Sequence, residues 1–426
     1  MHSGTLTPLK ELFSSLMERP FQPHIFEVNG RQIPLMRIET PIQIDDYLEW
    51  LQVQPLFPKI YWENPQENMR VAALGKVLEL PTTPSISSKG GLRFFGGRDF
   101  TPRKHNLWNK IPSCSYILPL IEIEEREGHT FLCINRTQET PKVDWNYHTY
   151  DATQTHLTSR LDSPSFPVWE RHVNELLHLI SKEELMKVVP ARCTRLEFEK
   201  ALNPYALLKH LQGASPCSTL FAFQFTPETA FIGASPETLY RRKGENIQSA
   251  AVAGTRARGK TMEEDLHLKE DLLSNSKEIH EFTIVKKHIE TLLSSLCHTM
   301  QTQALQVLQT NTVQHLYQAI EGTLKSPMTD HALIQALHPT PAVGGMPVKK
   351  ALREIQKKEH FDRGWYAAPV GWVTHKECHQ LVAIRSALID NNILSLFAGT
   401  GIVEGSTPLK EWEELEQKIA QYLIEK

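Results

Sequence analysis

The sequence lacks the features that would place it in a membrane, exported or nucleic-acid-binding class. No apolar run approaches the ~18 residues that a membrane-spanning helix requires. Lys10 and Glu11 stand where an export signal would have its apolar stretch, so no export is expected. The 46 basic and 49 acidic residues give a formal net charge of −3, which offers no attraction for nucleic acid. The six cysteines form no CxxC pair and indicate reduced thiols in a cytoplasmic protein.

The composition is that of an ordinary globular protein, with 40% apolar and 22% charged residues and no repeat or low-complexity block. At roughly 100–200 residues per domain, a chain of 426 residues allows two or three domains or one large one. The polar stretch 135–165 is the best candidate for a surface connection. We expect residues 1–160 to complete the fold of residues 161–426 rather than to form a separate domain.

Apolar segments between turn residues predict strands in both halves of the chain. The strand-like segments are 58–63, 71–80, 92–97, 115–123, 219–225, 229–235, 365–373, 379–390 and 393–403. Tight turns within 238–254 and at Asn391-Asn392 predict antiparallel hairpins. Helical spacing of apolar residues predicts helices over 167–186, 261–299 and 409–425. This pattern indicates an α+β fold with antiparallel sheets.

Residues 254–261 match the phosphate-loop pattern G-x-x-x-x-G-K-[ST] between a predicted strand and a predicted helix. Arg256 and Arg258 are bulky for a loop whose backbone amides must wrap a phosphate. The predicted hairpin also differs from the parallel sheet that such loops follow. An apolar run that ends at Asp390 could supply a second acidic motif, so a nucleotide-binding protein remains an alternative.

Two predicted helices carry closely spaced carboxylates. Glu278 and Glu281 share one helix face, and Glu411, Glu414 and Lys418 share a face of the last helix. Oxygen ligands from two helices could together bind a hard cation such as Mg²⁺. For either helix taken alone, a solvated acidic face is the favoured interpretation.

Four further residues could carry chemistry or could be ordinary surface and turn residues. Lys187 lies where a predicted helix passes into a short strand, a position that is normally exposed. Glu237 and His338 both lie in predicted turns. Arg385 lies within an apolar strand, where an arginine requires an anionic partner.

Nine segments, taken in order, resemble the chorismate-utilising enzyme family, and the likeness is greatest to its menaquinone-type isochorismate synthases. The segments PKIYWENP and RFFGGRDF extend this resemblance into the N-terminal half. The nine segments are KVVPAR (187–192), FIGASPETL (231–239), AGTRARG (253–259), SKEIHE (276–281), HPTPAVGG (338–345), FDRGWYAAPVGW (361–372), IRSALI (384–389), FAGTGIV (397–403) and PLKEWEELEQK (408–418). The resemblance implies large antiparallel sheets packed face to face, helices outside them, and a chorismate-binding catalytic domain over 161–426.

The resemblance implies an isomerase that adds water at C2 of chorismate while hydroxide leaves from C4. By motif position Lys187 is the base and Glu237 the acid, which requires a partly neutral lysine and a protonated glutamate. Glu281 and Glu414 match the Mg²⁺ ligands, and Glu278 and Glu411 match partners that act behind them or through water. The implied substrate contacts are Gly254, Thr255, His338, Thr340, Ala342, Arg385, Gly399, Gly401 and Lys418.

The retained Lys187 resembles the water-using members of the family, and Ala253 stands where aminodeoxychorismate synthases have a lysine. No glutaminase-like segment is present, so we expect no glutaminase subunit and a monomer or weak dimer. A salicylate synthase and a non-catalytic binding relative remain alternatives. Two departures from the family pattern are Pro190, which removes a backbone donor, and Phe282, which replaces a frequent histidine.

Overall fold

The computed structural model describes residues 6–141, 143, 155–310 and 313–423. Its helices are α1 (Leu6–Met17), α2 (Tyr47–Val53), α3 (Phe166–Ser181), α4 (Pro204–Ala214), α5 (Met262–Ser274), α6 (Ser276–Leu296), α7 (Asp330–Leu337), α8 (Val348–Lys358) and α9 (Pro408–Ile419). Its strands are β1 (His24–Val28), β2 (Arg31–Ile42), β3 (Lys59–Asn64), β4 (Met69–Leu74), β5 (Leu78–Leu80), β6 (Phe94–Arg98), β7 (Cys114–Leu118), β8 (Ile121–Arg126), β9 (His129–Arg136), β10 (Leu157–Ser163), β11 (Lys187–Val188), β12 (Ala191–Phe198), β13 (Thr219–Gln224), β14 (Thr229–Ser235), β15 (Thr238–Lys243), β16 (Asn246–Ala257), β17 (Cys297–Thr302), β18 (Gln306–Gln309), β19 (Val313–Leu324), β20 (Gly345–Met346), β21 (Pro369–Val373), β22 (Glu377–Val382), β23 (Ser386–Asp390) and β24 (Ile393–Gly399).

Two large antiparallel sheets form the framework, which confirms the predicted fold class. The twelve-stranded sheet has the order β1-β2-β9-β8-β4-β3-β13-β14-β23-β24-β12-β10. The ten-stranded sheet has the order β17-β19-β16-β15-β22-β21-β6-β7-β5, with β18 also paired to β19. Strands from the N-terminal and C-terminal halves are neighbours in both sheets, since β3 pairs with β13 and β6 pairs with β21.

The main hydrophobic core lies between the two sheets and is rich in aromatic rings. Phe223 and Phe231 of the twelve-stranded sheet both meet the edge or face of Trp365. A second core lies on the outer face of that sheet, where α3, α4 and α9 bury Trp169, Leu208 and Leu415. Burial on both faces explains why β13 and β14 read as unbroken apolar runs rather than as alternating strands.

The predicted helix over 261–299 is wrong, because two helices and the start of a strand occupy this range. Asn275 ends α5 and begins α6 with an extended backbone, and its side chain accepts a hydrogen bond from the amide of Glu278. An asparagine in this role ends one helix and starts the next, whatever the apolar spacing on either side. The last residues of the range, from Cys297 onward, belong to β17.

Three predicted strands each divide into two that join different sheets. The segment 71–80 contributes β4 and β5, the segment 115–123 contributes β7 and β8, and the segment 379–390 contributes β22 and β23. The last division occurs at Arg385, whose φ of 51° is incompatible with an extended strand. The predicted connection 135–165 includes β10, and its residues 142 and 144–154 lie outside the described part.

Both predicted hairpins are confirmed, by β15 pairing with β16 and by β23 pairing with β24 around Asn391. All six cysteines lie among the described residues and none of them forms a disulfide. Within the described ranges no helix has the length and apolar character to cross a membrane.

Candidate active site

Residues from ten separate segments of the chain converge on one buried cavity, which is lined by parts of both sheets, α6 and α9. The cavity has a volume of about 80 Å³, so its walls already lie close together. The sequence-predicted residues on its walls are Lys187, Glu237, Gly254, Thr255, Glu281, Ala342, Arg385, Gly399, Gly401, Glu414 and Lys418.

Four other predicted site residues lie behind these walls rather than on them. Glu278 accepts hydrogen bonds from the amide of Thr255 and from Arg256. Glu411 accepts from Lys277 and from the hydroxyl of Thr400. The two remaining residues, His338 and Thr340, support the loop that carries Ala342, with Thr340 accepting from the Ala342 amide and His338 bonded to the carbonyl of Ala367.

Lys187 forms one wall of the cavity and is engaged by a carboxylate. The side chain is 1% exposed, and its ammonium lies 2.8 Å from Glu281. A Cβ at Gly401 would lie 2.2 Å from a carboxylate oxygen of Glu281 and 2.9 Å from Cε of Lys187, so a side chain there would displace the ends of both. The Lys187 ammonium is therefore in an ion pair with Glu281, and it is released only when Glu281 binds another group.

Glu237 lies in the turn where the chain passes from β14 of one sheet to β15 of the other. Its amide donates to Ser235 at 3.2 Å, and its carbonyl accepts from the amide of Val382 at 3.0 Å. Burial raises the pKa of its carboxyl to about 7, although the positive charges of Lys187 and Lys418 act in the opposite direction. At this pKa about half of the Glu237 carboxyls hold their proton at pH 7, so the protonated acid that the sequence predicts is available near neutral pH.

A second buried cationic group comes from Arg385 and the last helix. The Arg385 guanidinium donates to the carbonyl of Lys418 at 3.0 Å, and Tyr422 donates to the carbonyl of Arg385 at 2.8 Å. Lys418 donates to the carbonyl of Gly399 and to Glu414. Burial lowers the pKa of Arg385 to about 10, partly offset by the Glu414 carboxylate, so the guanidinium remains charged. Two cations are thus fixed at one end of the cavity.

Each of the four glutamates has its own cationic partner. The pairs and their shortest distances are Arg256–Glu278 at 2.7 Å, Lys187–Glu281 at 2.8 Å, Lys277–Glu411 at 2.8 Å and Lys418–Glu414 at 2.5 Å. The acidic groups still repel one another, since burial and the nearby Glu414 carboxylate both raise the pKa of Glu411. The cluster is therefore electrically balanced by its own side chains.

These carboxylates fit a hard cation in their chemistry. Glu281 of α6 and Glu414 of α9 face the same cavity, and oxygen is the donor that Mg²⁺ prefers. Among the described residues, no three of the four glutamates bring oxygens within 4.8 Å of one another. A bound cation would draw these oxygens closer and would relieve their mutual repulsion.

A family model described as "Chorismate binding enzyme" matches residues 80–424. The chain belongs to this chorismate-binding enzyme family. It is 32% identical over 363 residues to a chloroplastic isochorismate synthase of Catharanthus roseus, covering 80% of this chain and 62% of the relative. The chain thus spans less than two thirds of the length of that plant relative.

Two further relatives are matched over almost their whole length. A salicylate biosynthesis isochorismate synthase of Pseudomonas aeruginosa is 31% identical, over 96% of this chain and 94% of its own. The solved structure of MenF, the menaquinone-specific isochorismate synthase of Escherichia coli, has a TM-score of 0.84 and 26% identity. This match covers 98% of this chain and 99% of that one. These comparisons confirm the family that the nine segments indicated.

In this family member the phosphate-loop match has another role. The amides of Gly259 and Lys260 donate to Asp265 and Glu264 of α5, and Arg258 also binds Asp265. The preceding strand β16 is antiparallel to both of its neighbours. The nucleotide-binding alternative is therefore wrong, because the chain's own carboxylates occupy the amides that a phosphate would need.

Three polar side chains on the cavity wall were not singled out from the sequence. His315 of β19 lies 3.2 Å from both the Thr255 hydroxyl and the Gly254 carbonyl, and burial lowers its pKa to about 3. Arg363 and Tyr366 also line the cavity. Both belong to the FDRGWYAAPVGW segment, which could have identified them, whereas His315 lies in a strand without a recognised motif.

Proposed function

We propose that this chain is an isochorismate synthase, which converts chorismate into isochorismate. The observation that carries the proposal is the shared cavity of Lys187 and Glu237, with Arg385 and Lys418 on its wall. The relatives named above support the same reaction. Chorismate carries one carboxylate on its ring and a second on its enolpyruvyl group, which suits a cavity with fixed cations on its wall.

The two central residues divide the proton transfers between them. Lys187 takes a proton from water as the water oxygen bonds to C2 of the ring. Glu237 gives its proton to the C4 oxygen, so the C4–O bond breaks and water leaves while the ring double bond shifts. The raised pKa of Glu237 keeps that proton available near neutral pH. Before it can act as a base, Lys187 must separate from Glu281.

The other residues bind the substrate and hold its charge. Arg385 and Lys418 bind the enolpyruvyl carboxylate as buried cations, and their mutual contacts keep them in place without substrate. We also propose a magnesium requirement, with Glu281 and Glu414 as ligands and Glu278 and Glu411 behind them. The ion would offset the charge of the ring carboxylate near the attacked carbon.

Several finer aspects belong to the same proposal. The chain would act in the cytoplasm, as a monomer or weak dimer, and without a glutaminase subunit. Water use is supported by Lys187, and Ala253 on the cavity wall leaves no lysine beside Gly254. The pathway is open, because one relative is named for salicylate biosynthesis and another for menaquinone.

Product identification tests the proposal directly. Purified protein is incubated with chorismate and Mg²⁺, and the products are separated by liquid chromatography and identified by NMR. Isochorismate is the expected product, with loss of turnover in Lys187→Ala and after metal chelation. Salicylate with pyruvate would instead identify a salicylate synthase. Unchanged chorismate after prolonged incubation of folded protein would refute the proposal.

A further inference from the structure

A buried ion pair outside the proposed chemistry ties together the segments that form one wall of the cavity. Arg363 is 3% exposed and donates to both carboxylate oxygens of Glu359. The same guanidinium donates to the carbonyl of Val189 at 2.6 Å and to the carbonyl of Val343 at 2.8 Å. Glu359 in turn accepts from the amide of Ala191 at 2.8 Å. One pair of side chains therefore joins three separate stretches of backbone.

The pair acts at residues 189–190, which lie between the ladder of β11 and the ladder of β12. Strand β11 pairs with β20 through Lys187 and Val188, and β12 pairs with β24 only from Ala191 onward. Pro190 lies in the gap and has no amide hydrogen to donate. Arg363 and Glu359 bind the carbonyl just before this proline and the amide just after it, which replaces the missing ladder bonds.

The second tie reaches the loop that carries Ala342. Val343 bonds to Arg363, and the carbonyl of the next residue, Gly344, accepts from the amide of Val189 at 3.0 Å. The guanidinium is itself fixed by the Phe100 ring, whose centroid lies 4.4 Å away. The strand that carries Lys187 and the loop that carries Ala342 are thus fixed relative to each other through the planar guanidinium of Arg363.

From these contacts we propose that the Glu359–Arg363 pair is a positioning device for Lys187, and the inference rests on the proposed function. The nearest backbone group that the pair contacts is the carbonyl of Val189, two residues along the chain from Lys187. The pair has no bond to the Lys187 side chain itself. A lysine in place of Arg363 cannot reach Glu359, Val189 and Val343 together, because a single ammonium lacks the planar fork. Displacement of a base by about 1 Å can cost roughly 100-fold in rate.

The test uses variants that remove different parts of the hydrogen-bond network of Glu359 and Arg363. Arg363→Lys keeps the charge, Glu359→Gln keeps the shape, and a Glu359→Met, Arg363→Met double variant replaces a buried pair by apolar groups, which often folds well. Arg353→Met on the exposed face of α8 is the matched control. Turnover, KM for chorismate and urea unfolding are measured for each, together with hydrogen exchange of the peptide covering 186–192.

We expect kcat to fall at least tenfold in Arg363→Lys and Glu359→Gln while KM changes less than twofold. The 186–192 peptide should exchange faster in both variants, independently of any turnover, and the control should match the parent protein. In the Lys187→Ala variant, adding Arg363→Lys should cause no further fall in the residual turnover rate, because the lysine side chain that the pair positions is already absent.

Three results would overturn the inference in an active parent protein. These are unchanged kcat in all pair variants, a rise in KM equal to the fall in kcat, or a full additional loss in the Lys187→Ala background. Absence of isochorismate formation by the parent protein would refute the proposed function instead. In that case the exchange measurement still decides whether the pair holds the 186–192 strand.

Discussion

Burial of Glu237 predicts a pH-dependent loss of stability that one substitution should remove. The carboxyl has a pKa of 4.5 in the unfolded chain and about 7 in the folded protein, where it is 5% exposed. Between these values the unfolded chain releases its proton and the folded protein retains it. The contribution of this group to the free energy of unfolding is therefore fully present below pH 4.5. It is lost as the pH rises to 7.

The size of the effect follows from the shift. Each pKa unit corresponds to about 1.4 kcal/mol, which gives a total of ~3 kcal/mol and about 2.5 kcal/mol between pH 5 and pH 8. Glu237→Gln has a similar shape and no titrating proton. The free energy of unfolding of this variant, minus that of the parent protein, should rise by about 2.5 kcal/mol over this interval.

Equilibrium urea unfolding, followed by tryptophan fluorescence and far-UV circular dichroism, measures this difference at half-unit steps of pH. Coincidence of the two signals checks that one transition is being measured. Glu413→Gln, on the exposed face of α9, is the control and should show no such trend. A Glu237→Gln difference that stays constant between pH 5 and pH 8 would show that the folded carboxyl is not held protonated.

Three other substitutions test separate parts of the site and fold. Glu414→Ala should raise the magnesium concentration for half-maximal activity at least tenfold, and an identical metal titration would exclude Glu414 as a ligand. Gly401→Ala should reduce turnover by up to roughly 100-fold, because its methyl group would displace the ends of the Glu281 and Lys187 side chains; normal turnover would contradict this contact. Asn275→Ala should lower the free energy of unfolding by about 1 kcal/mol through loss of the α6 cap, with kcat unchanged, and equal unfolding midpoints would disprove the cap.

Sequence patterns predicted the antiparallel hairpins and most of the cavity residues, for different physical reasons. Asn391 adopts a left-handed backbone with φ of 57° at the tip of its hairpin, which asparagine tolerates locally. Cavity residues such as Lys187 and Glu414 were identified through sequence motifs that occur in the family's order. The spacing of charged residues on one helix does not show which groups lie opposite that helix in the fold. Apolar spacing alone favoured a solvated face for the α9 carboxylates.

The failures of prediction have both local and long-range causes. The break between α5 and α6 is local, because Asn275 takes an extended backbone and its side chain accepts a hydrogen bond from the amide of Glu278, three residues later. His338 and Thr340 occupy the predicted loop but support its backbone instead of reaching the cavity. Glu359 and Arg363 are only four residues apart in a loop after α8, yet the contact of Arg363 with the Val189 carbonyl joins residues 174 apart in sequence.

The cavity forms where the chain twice changes sheets, and this explains how distant residues meet. Glu237 lies in the passage from β14 to β15, and Arg385 lies in the return from β22 to β23. The two passages run side by side, because the amide of Val382 donates to the Glu237 carbonyl and the amide of Ala234 donates to the Arg385 carbonyl.

A strand that leaves one sheet for another cannot continue its ladder, so its backbone must bend and its side chains point into the gap between the sheets. The φ of 51° at Arg385 is the bend that ends β22 and starts β23, and it sets the guanidinium beside α9. The proposed acid and the proposed carboxylate-binding arginine are therefore fixed by the same crossing. A substitution that straightened either passage would displace both groups together.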